Sequence, residues 1–266
     1  FRLRENLDLK VIPYYWYGFG NGGVQQKLLA ETGFLNPATG KTGAAADING
    51  DGDTLDTIIV ANASVTHTQR PGITSSLTYS VGNHTILGGF WFERAKHDQT
   101  GTAVRVRDDG TPVDYWLQDD QILRPDGVAY QSRNWKTIST AYQAFLQDTF
   151  TMMDDRLTLN VGVRTPHIKR DFTNIGNEGF NSGVTYQIEK TYNDVLPQLG
   201  ARYKLTADDQ LYASVAKNMK APPNFVFATT GSNVKLTNGV PSLVGDVKAE
   251  TSVNIDVGIR HQTNKW

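Results

Sequence analysis

The feature that most constrains this chain is a strict two-residue alternation of apolar with small or polar side chains. Leu157, Leu159, Val161 and Val163 alternate with Thr158, Asn160, Gly162 and Arg164. Leu199, Ala201, Tyr203 and Leu205 are set against Gly200, Arg202 and Lys204, and Ile255, Val257 and Ile259 against Asn254, Asp256, Gly258 and Arg260. Ile73, Leu77, Tyr79 and Val81 alternate with Thr74, Ser76, Thr78 and Ser80, and the sets Leu211, Ala213, Val215 and Tyr142, Ala144, Leu146, Phe150 complete the series. A period of 2 places each set on one face of a β-strand, where a helix would need about 3.6.

The connections alternate as well. Short polar turns are predicted at Gly82-Asn83-His84, Met153-Asp154-Asp155, Ala207-Asp208-Asp209 and Gln262-Thr263-Asn264. Between the hairpins lie long polar stretches, roughly 20–66, 97–134, 173–190 and 222–247. Tight turns at one end and long loops at the other are the habit of outer-membrane barrels. Structureless loops beyond about 12–15 residues are uncommon inside a compact domain. The pattern predicts eight strands, from near Asn6 to near Arg260. Within the first long loop, Val24 to Glu31 predicts a short helix capped by Gly33.

Composition narrows the function classes. A net charge of −1 argues against a general nucleic-acid binder, which needs a basic face. The absence of Cys excludes a disulfide framework, a thiolate metal site and a Cys nucleophile. No apolar run approaches the roughly 18 residues of a spanning helix, and no basic-then-apolar leader opens the chain at Phe1. Contact with lipid would therefore be made through strands. Arg164, Arg202 and Arg260 have the parity opposite to their apolar neighbours, which sends them to the water-filled side of a barrel. Asp148 shares parity with Leu146 and Phe150 and is expected near the interface, close to a short turn. The competing reading is a soluble, secreted β-rich domain that binds its ligand with calcium. A sandwich buries one face of each strand and produces the same alternation. The two separate on whether Leu157, Val161, Leu199, Tyr203, Ile255 and Ile259 form one exposed apolar band.

Four stretches carry a family resemblance. They are Ala144 to Phe150 followed by Asp155 to Arg164, then Leu196 to Tyr203, Leu211 to Pro222, and Lys248 to Arg260. In this order, each on a predicted strand, they resemble the barrel of a TonB-dependent outer-membrane receptor over roughly residues 140–266; the first half fits by pattern alone. Ala249 stands where that family usually has Pro and Asp256 where it has Glu, and Thr165-Pro166 is expected to break its strand.

The resemblance implies an all-β fold, an antiparallel transmembrane β-barrel segment with short periplasmic turns and long extracellular loops. About eight strands of a larger barrel of about 22 would be present. Residues 1–266 would be an interior segment, without plug domain, signal peptide or C-terminal strands. The implied location is the bacterial outer membrane. The implied function is TonB-energised uptake of a scarce ligand such as a ferric siderophore, haem, cobalamin or an oligosaccharide. The implied partners are outer-membrane lipid, that ligand, and the TonB complex acting through the plug. No enzyme activity, required cofactor or nucleic-acid partner is expected.

Several local patterns stand out. Asp47, Asn49, Asp51, Asp53 and Asp56, with Gly50 and Gly52 between them, reproduce the start of a calcium loop, although Ile58 occupies the place of the bidentate Glu. Asp, Asn and Gly are equally the residues of a solvated turn. Tyr14-Tyr15-Trp16-Tyr17 suits an aromatic membrane belt, and Tyr17 is also a candidate stacking surface for a ligand. Trp116 and Trp135, in or beside the second long loop, are further ligand candidates because a belt explains them less directly. Gly18 to Gly23 contains a GxGxxG match, but the strand before it holds Pro13 and three Tyr, which favours a flexible loop over a dinucleotide site. The five scattered His residues lack zinc spacing, and the turn acids Asp154-Asp155 and Asp208-Asp209 lack the facing geometry of a glycosidase.

Overall fold

The structure, a computed structural model, describes residues 1–179 and 183–262. Eight long strands form its wall: β1 (Leu7–Asn21), β2 (Val65–Val81), β3 (His84–Thr100), β4 (Asn134–Met152), β5 (Leu157–Asn174), β6 in two pieces (Tyr186–Asn193 and Leu196–Lys204), β7 (Asp209–Lys220) and β8 (Glu250–His261). Each pairs antiparallel with the next in chain order, and Arg2–Arg4 adds a short edge beside β1. Among the described residues the two edges do not pair, so the sheet is open. No helix of the described residues is long and apolar enough to cross a membrane.

The predicted hairpins form. Gly82 turns the β2–β3 hairpin at φ +54, a conformation that costs glycine little because it has no Cβ. Met153, Asp154 and Asp155 all adopt positive φ in the β4–β5 turn. Of the fourth predicted turn, Thr263 and Asn264 lie outside the described residues.

The register separates the two faces. Leu157, Tyr203, Leu211 and Ile259 lie in one cross-strand row, and Val161, Leu199, Val215 and Ile255 in another. Val161 is 47 % exposed, Leu199 49 %, Ile255 72 % and Ile259 64 %, and none belongs to a buried cluster. A sandwich would have sealed this band under a second sheet, so the sandwich reading fails. The arginines take the opposite face: Arg164 donates to Asn218 Oδ1 at 3.0 Å and Arg202 to Thr158 Oγ1 at 3.3 Å. Asp148 lies in the outward row with Ile86 and Val161, and His84 Nδ1 meets its Oδ2 at 2.7 Å near the short turn.

Some expectations are corrected. The Val24–Glu31 segment is no helix: Gln25–Ala30 is a strand paired with Thr57–Asn62. A helix of that length barely holds itself in water. The β-branched run Thr57, Ile58, Ile59, Val60 offers a pairing partner and helps bury Leu29. Ala103–Arg105 adds a third strand, so the long loops carry a sheet of their own. Thr165-Pro166 does not break β5. Pro166 lacks an N–H, and the interruption appears instead in its partner, at Asp194-Val195 between the pieces of β6. The Gly18–Gly23 run finishes β1 with no helix after it.

The aromatic quartet is divided by the same parity. Tyr15 and Tyr17 face outward, but Tyr14 and Trp16 face inward. Tyr14 donates to Glu93 Oε2 at 2.9 Å and accepts from Trp91 Nε1 at 2.8 Å, while Arg70 grips Glu93 Oε1 through two nitrogens. Consecutive strand residues cannot all join one belt.

Candidate functional site

At the loop end, the inner faces of β3, β4 and β5 bring together residues far apart in sequence. The register puts His97, Thr137 and Phe172 in one row and Gln99, Trp135 and Asn174 in the next. Arg170 lies on the same face, opposite Ser139. The segment 221–249 folds over this floor. Its 3-10 turn Asn224–Phe227 buries Phe227 completely, 6.0 Å from Phe172 ring to ring, and Tyr186 Oη donates to the Phe227 carbonyl at 3.1 Å.

Between floor and roof is a recess of about 490 Å³ lined by His97, Gln99, Arg133, Trp135, Arg170, Pro223, Asn224 and Phe225. Its charged lining residues are the two arginines, with no acid among them. Arg133 lies 4.4 Å over the Trp135 ring and donates to Ser64 Oγ at 2.8 Å. Burial draws the Arg133 guanidinium below the ordinary arginine range, although a guanidinium remains charged in proteins. Arg170 donates through Nη1 to Asn224 Oδ1, and Asn224 Nδ2 donates to Gln99 Oε1 at 3.3 Å. The roof is thereby tied to both sides of the floor. Two buried donors here, Trp135 Nε1 and Arg170 Nε, have no partner among the described residues. A buried donor without an acceptor costs about 1–3 kcal/mol, so this lining suits an acceptor-rich, anionic guest.

Of the three aromatic residues picked from sequence, Trp135 lines the recess, 4 % exposed. Trp116 instead packs on Phe19, 5.5 Å between rings, and Tyr17 stands on the outward face. Sequence reasoning missed Arg133, Arg170, His97 and Asn224. One signal was present: Arg170 has the inward parity of Arg164.

Among the described residues, Glu31, Asp53 and Asp56 form a carboxylate group that could hold a cation, with oxygens within 4.8 Å of one another. Asp47 and Asp51 are not members of that carboxylate group, and Asn49 reaches it through Asp56. Asp47 accepts from the Gly50 and Gly52 amides at 2.6 and 3.0 Å, and Asn49 Nδ2 donates to Asp51 and Asp56. Glu31 is fully buried and comes from outside the motif. Its Oε1 accepts from Ile48 N at 2.6 Å and its Oε2 from Asp56 N at 3.3 Å. The backbone amide of Asp53 first, with Asn49 and Asp56, holds Asp51 below the usual carboxylate range, while the bond to Asp51 raises Asp56.

The ferric citrate transporter FecA, in its unliganded form, is similar at 14% identity and a TM-score of 0.56, covering 98% of this chain and 30% of that one. The siderophore receptor PiuA from Acinetobacter baumannii is similar at 13% identity, TM-score 0.49, covering 96% and 48%. The ferric yersiniabactin uptake receptor FyuA from Yersinia pestis is similar at 20% identity, TM-score 0.47, covering 77% and 28%. The chain thus spans less than half the length of each of these receptors. A search of curated protein sequences finds no match. At these identities the FecA likeness shows the fold, an antiparallel sheet of the kind found in TonB-dependent receptor barrels. The family described as TonB dependent receptor-like, β-barrel matches residues 6–266, first half as well as second, and the chain belongs to that family.

Proposed function

We propose that this chain supplies wall and outer loops to an outer-membrane receptor for TonB-energised uptake of an anionic, siderophore-type iron chelate. The recess under the 221–249 segment takes the ligand's negative groups. The observation that carries this reading is the pair Arg133 and Arg170, together with Trp135 Nε1 and Arg170 Nε, which have no partner among the described residues, in a pocket with no acid among its described lining residues. Family membership supports a receptor rather than an enzyme. FecA is named for ferric citrate, an anionic complex of the kind such a lining would accept. The plug and the TonB complex are partners of the whole receptor in this reading.

Chemically the site would bind rather than convert. Arg133, stacked on Trp135, presents a planar cation and an aromatic face together, and Arg170 presents a fork of donors. Arg133→Ala and Arg170→Ala, each in the full-length receptor, are expected to weaken binding of ferric citrate or a ferric catecholate about 10-fold or more, since charged hydrogen bonds contribute about 1.5–3 kcal/mol. Binding of a neutral ferric trihydroxamate should change little. Equal losses for neutral and anionic chelates, or no loss for either, would count against the reading.

Calcium in the first loop is a second proposal. The specific observation is the fully buried Glu31 beside Asp53 and Asp56, three carboxylates that a divalent cation would neutralise together.

A further inference from the structure

The small sheet in the long loops continues the wall in the wall's own order. Gln25–Ala30 begins four residues after the end of β1, Thr57–Asn62 ends three residues before β2, and Ala103–Arg105 begins three residues after β3. Their pairing order repeats that of β1, β2 and β3. The register is carried upward as well. Val65 faces Thr100 and Asn62 faces Ala103, three residues on along each strand, so that ladder gains and loses nothing. Asn21 faces Val65 and Gln25 faces Asn62, a slip of one residue, and between them the Gly22 amide donates to the Ser64 carbonyl at 2.9 Å.

The two edges of this upper sheet differ. Ala103–Arg105 is covered: the Ile122 amide donates to the Ala103 carbonyl at 2.8 Å and the Val113 amide to the Arg105 carbonyl at 3.0 Å. Gln25–Ala30 pairs on one side alone among the described residues. The Glu31 amide donates to the Asp56 carbonyl at 3.0 Å, and hydrogen-bonded pairs alternate along an antiparallel ladder. The amides of Gln25, Lys27 and Leu29 therefore face Thr57–Asn62, and those of Gln26, Leu28 and Ala30 point to the open side. Leu28 faces Ile59, and the two side chains are 67 % and 52 % exposed. Natural sheets blunt an open edge with Pro or an outward charge. Gln26, Leu28 and Ala30 share one face and carry neither, while Lys27, on the other face, donates to Tyr130 Oη at 3.2 Å.

We infer that Gln25–Ala30 is the docking edge for one more strand, supplied by the receptor's own chain upstream of Phe1. This rests on the full-length receptor proposed above. Pairing along β1 is what any barrel requires; the inference concerns the loop edge above it. Arg2–Arg4 lies beside the start of β1, and there Phe1 N donates to the Leu9 carbonyl at 2.6 Å and the Leu9 amide to the Phe1 carbonyl at 2.8 Å. Traced backward from Phe1, the chain is thus already climbing the open side of β1. One residue upstream for each residue gained on β1 brings about the 19th residue before Phe1 opposite Leu28. The edge fits an extended segment with an apolar side chain at that place, which completes a cross-strand row with Leu28 and Ile59. The added strand closes the outer rim of the receptor on the β1 side.

The test uses the full-length receptor in its membrane. Hydrogen exchange resolved to single amides, corrected for intrinsic rates, compares neighbours on one strand and needs no mutation. With the edge docked, Gln26 and Leu28 should exchange within about 10-fold of Lys27 and Leu29. Exchange of Gln26 and Leu28 about 100-fold faster than Lys27 and Leu29 would mean an open edge and would overturn the inference. A benzophenone side chain in place of the exposed Leu28 then identifies the occupant, by irradiation and peptide mapping. The adduct should fall about 15–23 residues before Phe1 in the same polypeptide. An adduct on another protein, or on lipid alone, would overturn it. A receptor that inserts into the membrane but shows the fast, alternating exchange removes this inference alone. One that does not insert removes the receptor reading and this edge with it.

Discussion

Neighbouring residues on one strand should respond to the same substitution in opposite ways. Val215 points outward between Leu199 and Ile255, and Ser214 points inward between Gly200 and Asp256. Val215 is six positions beyond Asp209, where β7 begins. At about 3.4 Å per residue and a tilt of about 40°, each residue climbs about 2.6 Å, placing Val215 about 16 Å above the start of its strand. An apolar band about 25 Å tall has its middle at about 12 Å, so Val215 is within a few ångströms of the midplane. An arginine there should cost about 2–4 kcal/mol, or about 30- to 900-fold in the folding equilibrium. Ser214→Arg instead enters the aqueous interior beside Asp256, with Gly200 opposite leaving room, and should cost no more than about 1 kcal/mol. Reversible urea unfolding of the full-length receptor in lipid vesicles measures both. Equal costs, or a larger cost for Ser214→Arg, would refute the assignment of faces on which the band, the inward arginines and the recess all depend.

Two further outcomes concern the loops. Burial raises the Glu178 carboxyl above the ordinary glutamate range, against the opposing pull of the Gln131 and Leu35 amides and Arg124. The folded state therefore holds this proton more tightly than the unfolded chain. The stabilising contribution is full below the unfolded value of about 4.3 and is lost as pH rises through the raised folded value. Hydrogen exchange at the Gln131 amide, corrected for intrinsic rates, should show falling protection over that window in wild type and a flat profile in Glu178→Gln. In the first loop, millimolar calcium should slow proteolysis between residues 22 and 64 relative to chelator, and Glu31→Gln should reduce that protection several-fold; the same cleavage rate with and without calcium would remove the cation site.

The wall was legible in the sequence because side-chain parity is a local property. Each of Leu157 to Val163, Leu199 to Leu205 and Ile255 to Ile259 declares its two faces without knowledge of its partners. The turns were legible for the same reason, since Gly82-Asn83 and Asp154-Asp155 tolerate the backbone that a tight reversal demands. What failed was non-local. Val24 to Glu31 has helical composition, and only the distant run Thr57–Asn62 makes it a strand. The belt reading of Tyr14 to Tyr17 grouped neighbours that parity separates. The recess was illegible because its floor comes from three strands and its roof from a segment more than 50 residues after Arg170. Glu31 escaped notice because the motif beginning at Asp47 drew attention to its own register, while the buried carboxylate enters from 16 residues earlier.

The recess also differs from a cleft under a loose flap. Its roof is held by an aromatic cluster: Phe227 and Ala228 are fully buried with Phe172, Trp135 and Tyr186, and the Thr229 amide donates to Tyr186 Oη at 3.0 Å. Asn224 then bridges Arg170 and Gln99, so the polar lining is tied to the same anchor. Removing the roof would expose several aromatic rings, each burying about 150–250 Å², and would break the Asn224 bridge at the same time. On the proposed reading, a ligand entering the recess would find Arg133 stacked and Arg170 oriented beforehand. The ordering cost of about 0.5–1.5 kcal/mol for each immobilised long side chain would then have been met in folding rather than at binding. Two arginines set the sign of the site, Arg170 on β5 and Arg133 one residue before β4. The roof sets its shape through Pro223, Asn224 and Phe225. On the proposed reading, a change of ligand would follow from changes within the 221–249 segment, leaving the parity of the barrel strands untouched.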